Sequence, residues 1–150
     1  LTLYGKLCRE AAILLYEVLP LIREGRAPRI PQDATRATYF GGRKPADGRI
    51  DWTWPARRIY NLIRAVTDPY PGAFTFLPEG EKMMIWWGLP EADSFGVLSP
   101  GLAVVDDEGQ IYVHTGEGHL RLLDIEIVGR RMKGEEIGAY FRRRNRTILV

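Results

Sequence analysis

The chain has 150 residues, 45% hydrophobic and 27% charged, the size and make-up of one globular domain able to bury a core without staples. No apolar run approaches the ~20 residues of a membrane span, and one cysteine with two histidines supports neither a disulfide scaffold nor a closed zinc module. The net charge of +2 is too small to argue for a nucleic-acid partner, and a cytoplasmic location is the default. Its distribution says more. Residues 1–75 hold 12 Lys/Arg against 7 Asp/Glu, whereas residues 76–150 hold 9 against 12. Basic residues gather between Arg23 and Arg64, and again at Arg142, Arg143, Arg144 and Arg146.

Leu1 opens a pattern that is helical almost at once, as expected of a piece of a longer protein. Over residues 3–24, Leu7, Ala11, Leu14, Leu15, Val18, Leu19 and Ile22 recur at spacings of three and four, which predicts an amphipathic helix. Thr2 suits its N-cap and Gly25 its stop. Pro20 is expected to kink it or to end its regular bonding near Tyr16. A stripe this long demands a partner surface, since each buried Leu or Ile contributes roughly 1.5–3 kcal/mol. Cys8, beside Leu7 and Ala11, reads as a small buried apolar residue.

Between Gly25 and Trp52, prolines and glycines punctuate a polar stretch that reads as an extended linker with one short strand at Ala37–Phe40. A second helix is predicted over Pro55–Thr67, with Ile59, Leu62, Ile63 and Val66 inward, broken by Asp68-Pro69-Tyr70-Pro71-Gly72. Strand rhythm follows. Ala73–Leu77 with Lys82–Trp87, and Leu102–Asp106 with Gln110–Thr115, read as hairpins. In Leu120–Val128, Arg121, Leu123, Ile125 and Ile127 are expected on one face, and Leu122, Asp124 and Glu126 on the other. A closing helix near Gly134–Arg144 turns Ile137, Tyr140 and Phe141 inward. Together these make an α+β fold: an N-terminal helix and linker, a second helix, then a small antiparallel β-barrel with a short C-terminal helix.

Catalytic chemistry finds little footing. His114 and His119 flank the Thr115–Gly118 turn and could face one another, but a surface pair is the simpler reading. Asp106-Asp107-Glu108 reads as a solvated turn. No phosphate loop matches, because Gly41-Gly42-Arg43-Lys44 lacks the spacing. One run rises above background, Tyr39-Phe40-Gly41-Gly42-Arg43-Lys44-Pro45-Ala46-Asp47-Gly48-Arg49-Ile50-Asp51-Trp52. Its glycines could admit a ligand close to the backbone, Arg43 and Lys44 could pair with phosphate oxygens, and Tyr39 and Phe40 offer flat faces. On chemistry alone, a turn-rich linker whose aromatics plug the core stands level with it.

The same stretch, Ala37-Thr38-Tyr39-Phe40 through Gly48-Arg49-Ile50-Asp51-Trp52, then Pro55, Asn61, Ile63-Arg64-Ala65 and Pro69-Tyr70-Pro71-Gly72-Ala73, resembles the linker and C-terminal domain of the tetrahydrofolate-dependent formyltransferases. That family includes methionyl-tRNA formyltransferase and the sugar-nucleotide N-formyltransferases. Lys6-Leu7, Gln32 and Thr115-Gly116-Glu117-Gly118 also look like family positions. The resemblance covers essentially the whole chain and is sharpest over residues 37–73. It loosens after residue 125, where Glu126 stands in place of a frequent glutamine and Gly129-Arg130-Arg131 follows. The run Phe40–Asp47 is most similar to the aminoarabinose formyltransferase branch.

The resemblance implies that residues 1–25 are the last helix of an N-terminal Rossmann-like domain, 26–54 a linker, and 55–150 a C-terminal OB-like domain. It implies a parent enzyme that moves a formyl group from 10-formyltetrahydrofolate to an amine, with the catalytic asparagine, histidine and aspartate and the folate site in that N-terminal domain. No residue here matches them, so no catalytic, cofactor-binding or metal-binding residue is assigned. Arg43, Lys44, Tyr39, Phe40, Gly42 and Arg64 are the candidate substrate-binding residues, and a nucleotide-linked amino sugar is the first choice of acceptor. Initiator tRNA gripped by the basic linker is the alternative. A stand-alone nucleic-acid-binding OB module, stacking bases on Trp52, Trp54, Trp86 or Trp87, is a third; by strand alternation at most one of Trp86 and Trp87 faces outward. The uncovered first helix is expected to drive self-association.

Overall fold

Helix α1 (Thr2–Arg23) bears out the long periodic stripe at the head of the chain. It runs on through Pro20, where an interruption near Tyr16 was expected. The proline removes one donor within the final turn, and the Glu24 N–H resumes the pattern on the Pro20 carbonyl at 3.1 Å. Gly25, at φ +71°, ends the helix. The Arg26 N–H bonds back to Leu21 O at 2.8 Å and the Gly25 N–H to Ile22 O at 3.1 Å, the paired bonds of a left-handed glycine stop. The computed structural model describes residues 2–92, 98–143 and 149–150; the Thr2 hydroxyl, Arg144 and Arg146 lie outside the described residues.

The chain divides into two compact units, Leu1–Gly41 and Gly42–Val150. In the first, Leu7, Leu14, Leu15, Leu19 and Ile22 are all at least half exposed, and Cys8 is exposed rather than buried. The reason is local: a helix face is covered only by a second element, and the rest of this unit holds a single 3-10 turn, Ala34–Arg36. The strand expected at Ala37–Phe40 is absent, since an extended segment becomes a strand only beside a ladder partner.

The second unit begins at Gly42. A 3-10 turn at Pro45–Gly48 is tied by the Lys44 N–H to Asp47 Oδ2 at 2.7 Å. Beyond it Ile50 and Trp52 are buried in the core, and the Ile50 N–H bonds to Phe74 O at 2.8 Å. The prolines and glycines of this stretch mark turns, not slack chain. Helix α2 (Ala56–Val66) follows with Ile59, Ile63 and Val66 buried and Leu62 half-buried.

The sheet comprises β1 (Ala73–Phe76), β2 (Lys82–Glu91), β3 (Ala103–Val105), β4 (Ile111–His114), β5 (His119–Ile127) and β6 (Arg130–Lys133), all antiparallel. Its order is β1-β2-β5-β4-β3, with β6 paired to the far half of β5. Leu149 and Val150 link the two outer edges. Phe76 and Val150 exchange backbone bonds at 2.8 and 3.0 Å, and the Leu149 N–H bonds to Gly101 O, just before β3, at 2.9 Å. Helix α3 (Glu135–Arg142) then buries Ile137 and Phe141, with Tyr140 half-buried against the core.

Simple alternation fails at the middle of β5. Leu120, Leu122 and Asp124 are buried, then Ile125 and Ile127, while Arg121 and Leu123 stay partly exposed. The cause is a double irregularity: β2 carries one unpaired residue between Ile85 and Trp87, and β5 carries one between Asp124 and Leu122. Each extra residue shifts the phase by one, so the inward face changes parity. The same slip leaves Trp86 half-buried and Trp87 37% exposed, so neither indole enters the core.

Candidate functional site

The basic run and the helix-breaking loop meet in one cleft. A cavity of about 380 Å³ is lined by Arg43, Lys44, Pro45, Asp47 and Gly48, by Ala65 and Val66 at the end of α2, and by Tyr70, Pro71 and Gly72. Its two walls touch through backbone. A Cβ on Gly48 would lie 2.5 Å from Gly72 O; one on Gly72, itself at φ +82°, would lie 2.9 Å from the Trp86 ring. Only glycine permits this approach at both positions. The interior is mainly carbon from Pro45, Ala65, Val66 and Pro71, with exposed Arg43 and Lys44 at one end and the exposed ring of Tyr70 on the opposite segment.

The sequence-predicted residues divide. Arg43 and Lys44 line the cleft. Gly42 precedes it, and a Cβ there would meet nothing within 4 Å, whereas Gly48 and Gly72 are the glycines that the chain's own packing requires. Tyr39 and Phe40 lie in the first unit, each 92% exposed, and are not among the lining residues. Arg64 is next to the lining residue Ala65, yet its Nε donates to Asn61 Oδ1 at 3.0 Å and its guanidinium lies 5.8 Å from the Tyr60 ring centroid. Tyr70 is the residue that sequence reasoning passed over. Its signal was an aromatic between two prolines, read as a helix stop and as part of the family run but given no binding role.

The cleft holds no nucleophile–base pair. What it can do is bind: cations for an anion, apolar carbon and a flat ring for a sugar or base. The other candidates resolve into structure. His114 and His119 do oppose one another across β4 and β5, with ring centroids 4.6 Å apart, but both are buried, not the expected surface pair. Strand register sets them opposite one another on the inward side, edge to face. Among the described residues no group of three or more His, Cys, Asp or Glu could hold a metal. The Thr115–Gly118 turn is a docking point, where the Gly116 N–H donates to Trp52 O at 2.9 Å and the Ala56 N–H to Glu117 O at 2.9 Å.

Residues 43–142 match the family model described as "Formyl transferase, C-terminal domain". The chain belongs to that family. Among the solved structures that this formyl transferase C-terminal domain is similar to in fold are two of HypX from Aquifex aeolicus. A multiply substituted variant matches at 18% identity and TM-score 0.59, over 85% of this chain and 23% of that one. HypX in complex with tetrahydrofolic acid matches at 18% identity and TM-score 0.56, over 85% and 22%. The chain thus spans less than a quarter of the length of the HypX chains it matches. Among the described residues, no helix is long and apolar enough to cross a membrane.

Proposed function

We propose that this formyl transferase C-terminal domain holds the amine acceptor for formyl transfer from 10-formyltetrahydrofolate, and that the acceptor is a nucleotide-linked amino sugar. In that reaction the amine nitrogen attacks the formyl carbon, the nitrogen of tetrahydrofolate departs with the former bonding pair, and the proton that the amine loses ends on that departing nitrogen. The cleft fits the acceptor better than the folate. Its charged groups are Arg43, Lys44 and Asp47, all exposed, and Asp47 already accepts the Lys44 N–H. A pterin edge would call for buried donors and acceptors. On this reading the folate and the proton-handling residues belong to the catalytic part of the parent chain, with α1 as the last helix of that part and its apolar stripe as the docking face.

The supporting observation is the pairing of Arg43 and Lys44 with an apolar floor and the Tyr70 ring in one cleft. A diphosphate on the two cations would direct the rest of the acceptor along that floor. Substituting Arg43→Ala with Lys44→Ala in the full-length enzyme should raise the acceptor KM about ten-fold or more and spare the folate KM. Unchanged acceptor kinetics would retire the reading.

One observation favours initiator tRNA as acceptor instead. On α2 the Tyr60 ring lies between Arg57 and Arg64, at 5.4 and 5.8 Å, and Arg58 stacks on Trp54 at 3.7 Å. Such a basic and aromatic face suits a polyanion. Salt separates the two: several phosphate contacts make affinity fall steeply with ionic strength, one diphosphate only shallowly. A stand-alone base-stacking module has less support, since Trp52 is buried with its ring N–H on Thr75 Oγ1 at 3.0 Å.

A further inference from the structure

The loop from Thr67 to Gly72 joins α2 to β1 and forms the Tyr70 wall of the cleft, and the sheet grips it at three points. The Thr67 hydroxyl donates to Trp86 O at 2.8 Å. Gly72 lies on the Trp86 indole so closely that no side chain fits between them. The third point is Arg131 on β6. Its Nε and Nη2 donate to the two oxygens of Asp124 at 2.8 and 2.9 Å, while Nη1 reaches Asp68 Oδ2, in the loop, at 3.2 Å. The same guanidinium lies 5.2 Å from the Trp86 ring centroid, and the Trp86 ring N–H donates to Glu126 Oε2 at 3.1 Å.

This is more than β5 and β6 require of one another. The bidentate pair with Asp124, backed by Lys133 Nζ at 3.3 Å, already joins those strands. The arm to Asp68 does something else: it ties the sheet to a loop far away in sequence. The Asp124 hydrogen bonds hold the Arg131 pKa above its ordinary value, so the cation persists at any working pH.

We propose that Arg131 is a positioning residue for the cleft, its fork spanning Asp124 and Asp68 above Trp86 so that the Asp68–Gly72 loop, and with it Tyr70, is held where the acceptor binds. The assignment rests on the acceptor reading of the cleft. Arg131 touches no cleft atom itself and acts through the loop. A lysine cannot span two carboxylates in this way, which distinguishes a fork from a mere charge.

Two amides report the loop directly: the Tyr70 N–H donates to Thr67 O at 3.1 Å and the Gly72 N–H to Val66 O at 2.8 Å. In the full-length protein, Asp68→Ala cuts the loop arm and leaves the Arg131–Asp124 pair intact; Arg131→Lys keeps the charge and loses the fork. Both should accelerate hydrogen exchange at Tyr70 and Gly72 but not in β2. Both should weaken binding of the probe UDP about two- to five-fold, the range of a screened surface pair, and Asp68→Glu should restore it. Unchanged exchange at those amides in folded variants overturns the latch, whatever the cleft binds. Faster exchange with UDP affinity unaltered overturns its role in binding, provided Arg43→Ala with Lys44→Ala weakens UDP in parallel. If that double variant binds UDP as the parent does, the acceptor reading falls and the exchange data alone decide the latch.

Discussion

Helices α1 and α2 carry the same pattern and meet opposite fates. In α2, Ile59 and Ile63 are 0% exposed; in α1, Leu14 and Leu15 are 60% and 56% exposed. Spacing at three and four fixes which face of a helix wants cover, but it does not say that the cover lies in the same unit. The second unit supplies it to α2 through β2 and β5, whereas the described part of the first unit holds, besides α1, one 3-10 turn that buries nothing. The comparison turns periodicity from a claim about burial into a claim about demand for it.

Truncation measures the difference most directly. Ile59→Ala should destabilise the second unit by about 2–5 kcal/mol, the cost of a cavity in a packed core, whereas Leu15→Ala in α1 should change that unit by less than about 0.5 kcal/mol. Denaturant unfolding followed by tryptophan emission reads both, because all four tryptophans lie in the second unit. Equal losses would mean that α1 is part of the same cooperative core.

A smaller effect tests how the second unit closes. Thr75, fully buried, accepts from Trp52 Nε1 at 3.0 Å and donates to Val150 O at 2.9 Å, joining the early Ile50–Trp52 segment, β1 and the last residue. Thr75→Val keeps the shape and removes both bonds, leaving a buried indole N–H unsatisfied at a cost of about 1–3 kcal/mol. The loss should appear in unfolding curves together with a shift in Trp52 emission; wild-type stability would show that backbone pairing of Phe76 with Val150 closes the sheet unaided. The first unit has no counterpart to such a linkage among its described residues.

Local signals carried much of this architecture. Both helices flanking the polar linker stretch, both hairpins and the closing helix follow from period and turn residues, each of which acts within a few positions. What the sequence concealed depends on distant partners. Strand β6 is four residues, three of them basic, and it is a strand because Asp124–Ile127 offers an edge to pair with. The slip between β2 and β5 leaves no mark in composition, so the faces of β5 and the placement of Trp86 and Trp87 were misjudged. At the cleft, Arg43 and Lys44 were legible because a basic pair beside glycines has few structural uses. Tyr70 was not, because its value arises only when the loop folds back beside Gly48. Tyr39 and Phe40 drew notice by their flat rings and by the family run they belong to, and each is 92% exposed in the first unit.

The two units also share one small device, which gives the finest test of the comparison. Asp33 accepts from Thr35 N at 3.0 Å and from its hydroxyl at 2.6 Å; Asp51 accepts from Thr53 N at 2.9 Å and from its hydroxyl at 2.6 Å. In both, the threonine hydroxyl bond is the main cause of a carboxyl pKa below its ordinary value, with the backbone bond next. A depressed pKa stabilises the fold above the unfolded-state value and ceases to do so as pH falls through the folded-state value. The chemistry is shared, but the setting differs: the Asp51 turn sits between buried Ile50 and Trp52, and the Asp33 turn buries nothing. Asp51→Asn should therefore lower the stability of the second unit slightly at neutral pH, with the gap to the parent closing on acidification below the carboxylate range. Asp33→Asn should leave the same curve unmoved. Matching responses from the two variants would mean that the turn at Asp33 is coupled to the core, and that the division at Gly41–Gly42 is not a thermodynamic one.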